Sequence, residues 1–163
     1  MPVATLESLR DRIIVLITAL TPTSLTGDKF RGSLDESEAD FRKAAEAAPA
    51  GCLRRFQVRN DGSDDLPAVS NADTAQLRAK LRILVAYPQT HRYGGSAGRD
   101  RDDVIDQDWR KINFSVGVYG RANFSTTHDC TPLGCRKEVE IGTSGVDYLV
   151  IAFEANYYLD VDA

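Results

Sequence analysis

Two long stretches of alternating apolar and polar residues dominate the chain. Residues 145–162 place Leu149, Ile151, Phe153, Ala155, Tyr157 and Leu159 at every second position. Residues 76–87 do the same with Leu77, Ala79, Leu81, Ile83, Val85 and Tyr87, and set Arg78, Lys80 and Arg82 between them. Because successive side chains of a strand point to opposite faces, both stretches predict long β-strands that share one sheet.

Three other stretches have helical periodicity. Residues 5–20 repeat apolar positions at intervals of three and four, and a proline at position 22 ends the pattern. Residues 35–48 predict a second helix, in which Asp35 is the N-cap and Glu38 completes a capping box. Residues 102–116 predict a third helix. Its expected buried stripe is Ile105, Trp109, Ile112 and Val116, with Trp109 as the anchor.

The remaining segments are shorter. Residues 52–59 and 136–141 predict strands, and a short extended piece is expected around Phe30. Asp61 and Gly62 predict a turn within the polar segment 60–71, and residues 117–137 predict irregular structure. This order of elements predicts a single α+β domain over residues 1–163, with a small, mainly antiparallel sheet and helices packed on one face.

Charge and composition narrow the possible functions. The 163 residues carry a net charge of −4, so the protein has no overall positive field that would attract nucleic acid. No apolar run approaches the roughly 20 residues that cross a bilayer, and the N-terminus lacks the basic and apolar regions of a signal peptide. We therefore expect a protein that is made in a reducing cytoplasm and does not enter a membrane.

One short segment, HDCTPLGC, could suggest a zinc site. It contains His128, Cys130 and Cys135, and Cys52 or His91 would have to complete the usual four ligands. A loop with an incidental pair of reduced cysteines is the favoured interpretation, and no metal or cofactor is predicted. The aspartates Asp102, Asp103, Asp106 and Asp108 are interpreted as solvated residues that stabilise a helix N-terminus.

The sequence contains no familiar catalytic motif in a recognisable context. H-E-x-x-H is missing, and no Cys/His/Asn arrangement lies in recognisable context. Residues 94–98 match G-x-S-x-G, but they lie in the glycine-rich loop, several residues after the predicted strand that ends at 87 and not in a sharp strand-to-helix turn. The chain has two histidines in total. We therefore predict a protein that is not an enzyme, with no catalytic residue.

Clusters of basic residues have two possible roles. Arg54, Arg55 and Arg59 together with the 78–82 stripe could bind nucleic acid, or the stripe could face an acidic surface of a neighbouring copy. The glycine-rich loop 93–99 could contact phosphate through flanking arginines, although it lacks the lysine of a P-loop. The predicted interface residues, for another subunit or a partner protein, are Arg78, Lys80, Arg82, Arg92, Arg99 and Arg101.

The order of elements resembles that of the tail terminator, or tail completion, proteins of long-tailed bacteriophages. The stretches that carry the resemblance are ATLESLRDRIIVLITAL, AQLRAKLRILVAYP, DDVIDQDWRKINFSVG and DYLVIAFEANYYLDVD. Members of that family are small α+β proteins, and their final strand shows a similar aromatic-rich alternation.

The resemblance implies a structural protein of the virion. Six copies would form a hexameric ring that caps the tail tube, stops its growth and joins the tail to the head. The implied partners are identical subunits, the tail tube protein and a head–tail connector protein. DNA would pass through the ring without specific binding, and the ring would be assembled in the host cytoplasm and located in the tail or neck of the virion. Another head–tail connector or neck ring protein, or a nucleic-acid-binding module, is the alternative.

Overall fold

The two alternating stretches pair with each other at the centre of a five-stranded sheet. We describe a computed structural model over residues 6–23, 28–33, 37–65, 74–91, 93, 101–120, 122–125 and 130–160. Its helices are α1 (Leu6–Thr18), α2 (Glu38–Ala47), α3 (Arg101–Val116) and α4 (Ala122–Ser125), with 3-10 turns at Pro49–Gly51 and Val118–Gly120. Its strands are β1 (Arg31–Ser33), β2 (Arg55–Asp65), β3 (Thr74–Pro88), β4 (Cys130–Glu140) and β5 (Val146–Asp160).

The strands lie in the order β1-β2-β3-β5-β4. β3 and β5 pair antiparallel along their whole length, from Thr74 opposite Asp160 to Pro88 opposite Val146. The short β1 runs parallel to β2, and the other described pairs are antiparallel. The predicted α+β class and the mainly antiparallel sheet are therefore confirmed.

One face of the sheet carries the larger core. The alternating apolar residues of β3 and β5 are buried there, as predicted, from Ala79 to Tyr87 and from Leu149 to Tyr157. The helices α1 and α3 cover this face and bury Leu9, Ile13, Ile17, Val104, Ile105, Ile112 and Val116. The predicted anchor, Trp109, is only partly buried at the margin of this core, whereas Phe30, Phe56, Phe124 and Phe153 are fully buried in it.

A helix also packs on the opposite face, which the sequence interpretation did not anticipate. Phe41 and Ala45 of α2 are buried against Leu84 of β3 and Tyr148 of β5. Among the described residues, α2 covers the part of this face around Leu84 and Tyr148. The polar residues of β3 and β5 lie further along the same face. The prediction that helices pack on one face holds for α1 and α3 and is wrong for α2.

Several predicted boundaries also change. Asp61 and Gly62 lie inside β2, where the pairing register shifts between Asn60 and Ser63, and Gly62 has a φ of 112°. The glycine therefore permits a β-bulge instead of ending the strand. The strand β4 begins at Cys130, six residues before the predicted start at 136, so part of the segment expected to be irregular is paired.

Helix α2 begins later than predicted. Its N-cap is Ser37, whose hydroxyl accepts a hydrogen bond from the backbone N–H of Asp40 at 3.1 Å. The predicted cap, Asp35, lies outside the described residues, and Glu38 is the first helical residue rather than part of a capping box. None of the described helices has the length and apolar character needed to cross a membrane.

Candidate interaction surfaces

The predicted basic stripe lies on the sheet face opposite the larger core. Its members alternate with the buried Ala79, Leu81 and Ile83 of β3, and each is about two-thirds or more enclosed by its neighbours. The residues of β5 that pair with the stripe are not basic: Arg78 lies opposite Asn156, Lys80 opposite Glu154 and Arg82 opposite Ala152.

This part of the sheet, here called the open face, carries charges of both signs. Arg59 of β2 lies beside Arg82, and the exposed Arg136 of β4 lies beside Ala152. Glu154 lies opposite Lys80, and the exposed Glu138 adds another carboxylate on β4. The open face is therefore a mixed-charge surface and not the purely basic stripe that the sequence of β3 alone suggests.

Arg82 is held within its own molecule. Its guanidinium lies 3.3 Å from Glu38 of α2 and 3.6 Å from Glu140 of β4. Arg42 reaches the same two carboxylates at 3.1 and 2.7 Å. Although partial burial alone would lower the pKa of Arg42, the hydrogen bonds that it donates to Glu140 and Glu38 raise it. This four-residue cluster ties α2 to the sheet, so Arg82 has a structural role.

Arg101, at the start of α3, is also engaged internally. Its Nε lies 2.6 Å from Oδ2 of the buried Asp147, without the alignment of a hydrogen bond, and it donates from Nη1 to the Gln89 carbonyl at 3.3 Å. It thereby joins α3 to the ends of β3 and β5. The predicted interface residues Arg92 and Arg99, and most of the glycine-rich loop, lie outside the described residues.

Arg54 was considered as part of a possible nucleic-acid-binding cluster, and its burial excludes that role. Its side chain is fully buried and pairs with the equally buried Asp108 of α3, at 2.9 Å from Nε to Oδ2. Nη1 lies 3.3 Å from a carboxylate oxygen of Asp28, and Nη2 donates to the Thr23 carbonyl at 2.7 Å. Such a buried cation requires these partners because an unpaired charge in a protein interior is very costly.

Asp108 was expected to be solvated, and it is instead the acceptor at the centre of this network. Besides Arg54, it accepts the Tyr87 hydroxyl at 2.9 Å and the Thr23 backbone N–H at 2.7 Å. Burial raises the pKa of the Tyr87 phenol well above its usual range, and the neighbouring Asp108 charge adds to the effect. Tyr87 therefore stays protonated and donates to the carboxylate.

A sequence signal for the buried aspartate existed. Asp108 lies three residues after Ile105 and four before Ile112, so helical periodicity places it on the same buried stripe. Its three aspartate neighbours behave as predicted: Asp102 and Asp103 lie exposed in the first turn, and Asp106 is exposed and contacts Lys137.

The structure separates two of the three cysteines of the zinc arrangement considered above. Cys52 is buried with α2 on one face of the sheet, whereas Cys135 packs against the larger core on the other face. Cys52 therefore cannot join Cys135 at a metal ion without refolding. Over the described part of the chain no three His, Cys, Asp or Glu side chains converge as a metal site would require. His128 lies outside that part.

Burial lowers the expected reactivity of both thiols, Cys52 and Cys135. It raises the pKa of Cys135 to about 12 and also raises that of Cys52. Because the thiolate is the reactive form, we expect both residues to react with iodoacetamide at pH 8 at least about tenfold more slowly in the native protein than in denaturant. Peptide mass spectrometry over a time course checks this, and equal rates in the two conditions would contradict the assigned burial.

Exposed apolar side chains lie next to both ends of α3. At its N-terminal half, a groove of about 440 Å³ between α3 and β4 is lined by Asp102, Asp103, Ile105, Asp106, Val139 and Ile141. Beyond its C-terminal end, the rings of Phe114 and Tyr119 stack with centroids 4.9 Å apart and planes at 24°, next to the exposed Val118. Neither surface was singled out from the sequence.

Neither a scan against protein-family models nor a search of curated proteins finds a match for this chain.

Proposed function

We propose that this protein is a tail terminator of a long-tailed bacteriophage, a non-enzymatic virion protein that forms a ring on the tail tube and joins it to the head. The proposal rests first on the resemblance of its N-terminal helix, its long β3, its α3 and its closing strand to that family. The α+β fold, with the fifteen-residue β5 paired to β3 along its length, agrees with what that resemblance implies.

The observation that supports assembly most directly is the edge formed by β4. This strand is eleven residues long, and among the described strands it pairs with β5 alone. Leu133 and Val139 on the strand are 40% and 38% exposed, and Ile141 just beyond it is 79% exposed. Edges of this length with apolar neighbours are usually covered in stable proteins, and an identical subunit or a tail protein would cover this one.

Charge also favours this function over a nucleic-acid-binding module. The chain carries −4, and a ring multiplies that charge around its channel, so that DNA would slide through without being held. The rival interpretation needs a basic surface. Arg82 of the open face, however, forms ion pairs with Glu38 and Glu140 of its own chain. Arg54 is buried against α3 and does not contribute to any surface.

Negative-stain microscopy with light scattering tests the proposal. We expect the purified protein to form closed rings and to cap tail tubes that lack their terminator, so that tube length becomes uniform. Protein that stays monomeric at every concentration and leaves tube length unregulated would overturn it. A closed ring that fails to cap tubes but binds a head connector would favour another neck protein.

The open face provides a second prediction. Reversing Arg78 and Arg136 (Arg78→Glu with Arg136→Glu) should weaken ring formation or tail-tube binding at least about tenfold while circular dichroism stays unchanged, because these cations lie on the face that a neighbour would cover. Arg82 is a poor choice, since its reversal would add a third carboxylate beside Glu38 and Glu140. The nucleic-acid alternative predicts instead that wild type binds DNA tightly at low salt, without a ring.

A further inference from the structure

We infer that the two ends of α3 bind each other between copies of this chain: the aromatic end of one subunit docks in the acidic groove of the next. The aromatic end comprises Arg110, Phe114, Val118 and Tyr119, and the acidic groove is the one bounded by α3 and β4. The inference deepens the proposed function and rests on it for the closure of such contacts into a ring.

The acidic groove combines an apolar floor with a negative rim. Ile105 forms the buried base, Val139 is partly exposed and Ile141 is 79% exposed. Asp102 and Asp103 lie on the rim in the first turn of the helix. A concave apolar surface bordered by carboxylates suits an aromatic side chain that is accompanied by a cation.

The aromatic end has the complementary character. Phe114 and Tyr119 are 62% and 71% exposed, and Val118 is 52% exposed. Arg110 is exposed one helical turn before Phe114, so its guanidinium lies on the same side of the helix as the ring. Tyrosine and arginine are the residue types that contribute most strongly to binding at protein interfaces.

Charge identifies a second copy as the occupant. The exposed residues of the first half of α3 include three aspartates, whereas Arg110 and Lys111 follow in the second half. The apolar parts of the two surfaces, at Ile105 and Phe114, are about 14 Å apart along the helix, and Asp106 and Arg110 between them line a common pocket. Contact of like with like would bring carboxylates together, whereas contact of unlike surfaces pairs opposite charges.

The arrangement is therefore heterologous, in which each subunit offers a different surface to each of its two neighbours. Heterologous contacts close into a ring when the rotation between neighbours permits and otherwise extend as a filament. The acidic groove and the aromatic end thus supply the two surfaces that a ring of identical subunits needs.

Two single variants test this contact. Ile141→Asp places a charge in the acidic groove, and Tyr119→Asp places one in the aromatic end; both positions are highly exposed, so folding should be unaffected. We expect each variant to self-associate at least about tenfold more weakly than wild type in sedimentation velocity. Val15→Asp is the matched control: it replaces an apolar residue of α1 that is 57% exposed and lies outside both surfaces, and it should assemble as wild type does.

Mixing the two variants gives the decisive result. Ile141→Asp retains an intact aromatic end and Tyr119→Asp an intact acidic groove, so an equimolar mixture should form 1:1 heterodimers and no larger species. The inference is wrong if both variants lose assembly and the mixture gives no heterodimer. It is also wrong if both variants assemble as wild type does.

These results are separable from those on function. Rings that cap tail tubes yet tolerate both variants would overturn this contact and leave the proposed function standing. Assembly that depends on both surfaces but never caps a tube would support the contact and overturn the function. Wild type that is monomeric at all concentrations would overturn the contact together with the proposed ring.

Discussion

Replacing Asp108 by alanine should destabilise the protein by about 3–5 kcal/mol, because it leaves the fully buried Arg54 without its closest counter-charge. The same change removes the acceptor of the Tyr87 hydroxyl and of the Thr23 N–H. Urea unfolding followed by circular dichroism measures the loss. Asp103→Ala, an exposed aspartate on the same helix, should change stability by less than about 0.5 kcal/mol.

A double substitution separates the cost of an unpaired charge from the value of the pair. Asp108→Leu with Arg54→Met replaces both ions by apolar groups, and we expect it to lose clearly less stability than the sum of the two single changes. Equal stability of Asp108→Ala and wild type would contradict the buried network. Additive losses in the double variant would show that the two residues do not interact.

The second large effect is expected at Phe153. Its ring is fully buried on the central β5, with its centroid 6.3 Å from that of Phe124, so Phe153→Ala should cost about 3–5 kcal/mol through lost burial and the cavity left behind. Trp109→Ala should cost less, because Trp109 is only partly buried at the margin of the core. Thermal unfolding ranks these variants.

Phe114→Ala is the matched control for this ranking, since it removes an aromatic ring that is 62% exposed. At a protein concentration where wild type is monomeric, it should unfold within about 0.5 kcal/mol of wild type. A larger loss for Trp109→Ala than for Phe153→Ala would contradict the burial assigned to the two residues.

The centre of the fold was predictable because its pattern is local. Strict alternation in β3 and β5 determines which side chains face the core and therefore their register, since a shift by one residue would expose the whole apolar set. Helical periodicity likewise located α1 and α3. Strand β4 was predicted too short because Pro132 and Gly134 suggest loop structure, whereas the register shift between them keeps the strand paired.

The buried ion pair and the two surfaces of α3 could not be derived in the same way. Arg54 and Asp108 are 54 positions apart, and although helical periodicity places Asp108 on the buried stripe of α3, no local pattern identifies Arg54 as its partner. The acidic groove needs α3 and β4 to lie side by side, which no local pattern determines. The opposite-face packing of α2 was missed for a similar reason, since an amphipathic helix does not specify which side of a sheet it covers.

The pairing of β3 with β5 also determines when the sheet can form. The paired residues lie between 58 positions apart (88 to 146) and 86 positions apart (74 to 160). During synthesis, α1, α2 and the β1–β2–β3 sheet can form early, but one edge of β3 has no partner until β5 leaves the ribosome. Long-range pairing of this kind is slow and exposes an aggregation-prone edge meanwhile. Overexpressed protein should therefore be most vulnerable to aggregation before its last long strand has been made.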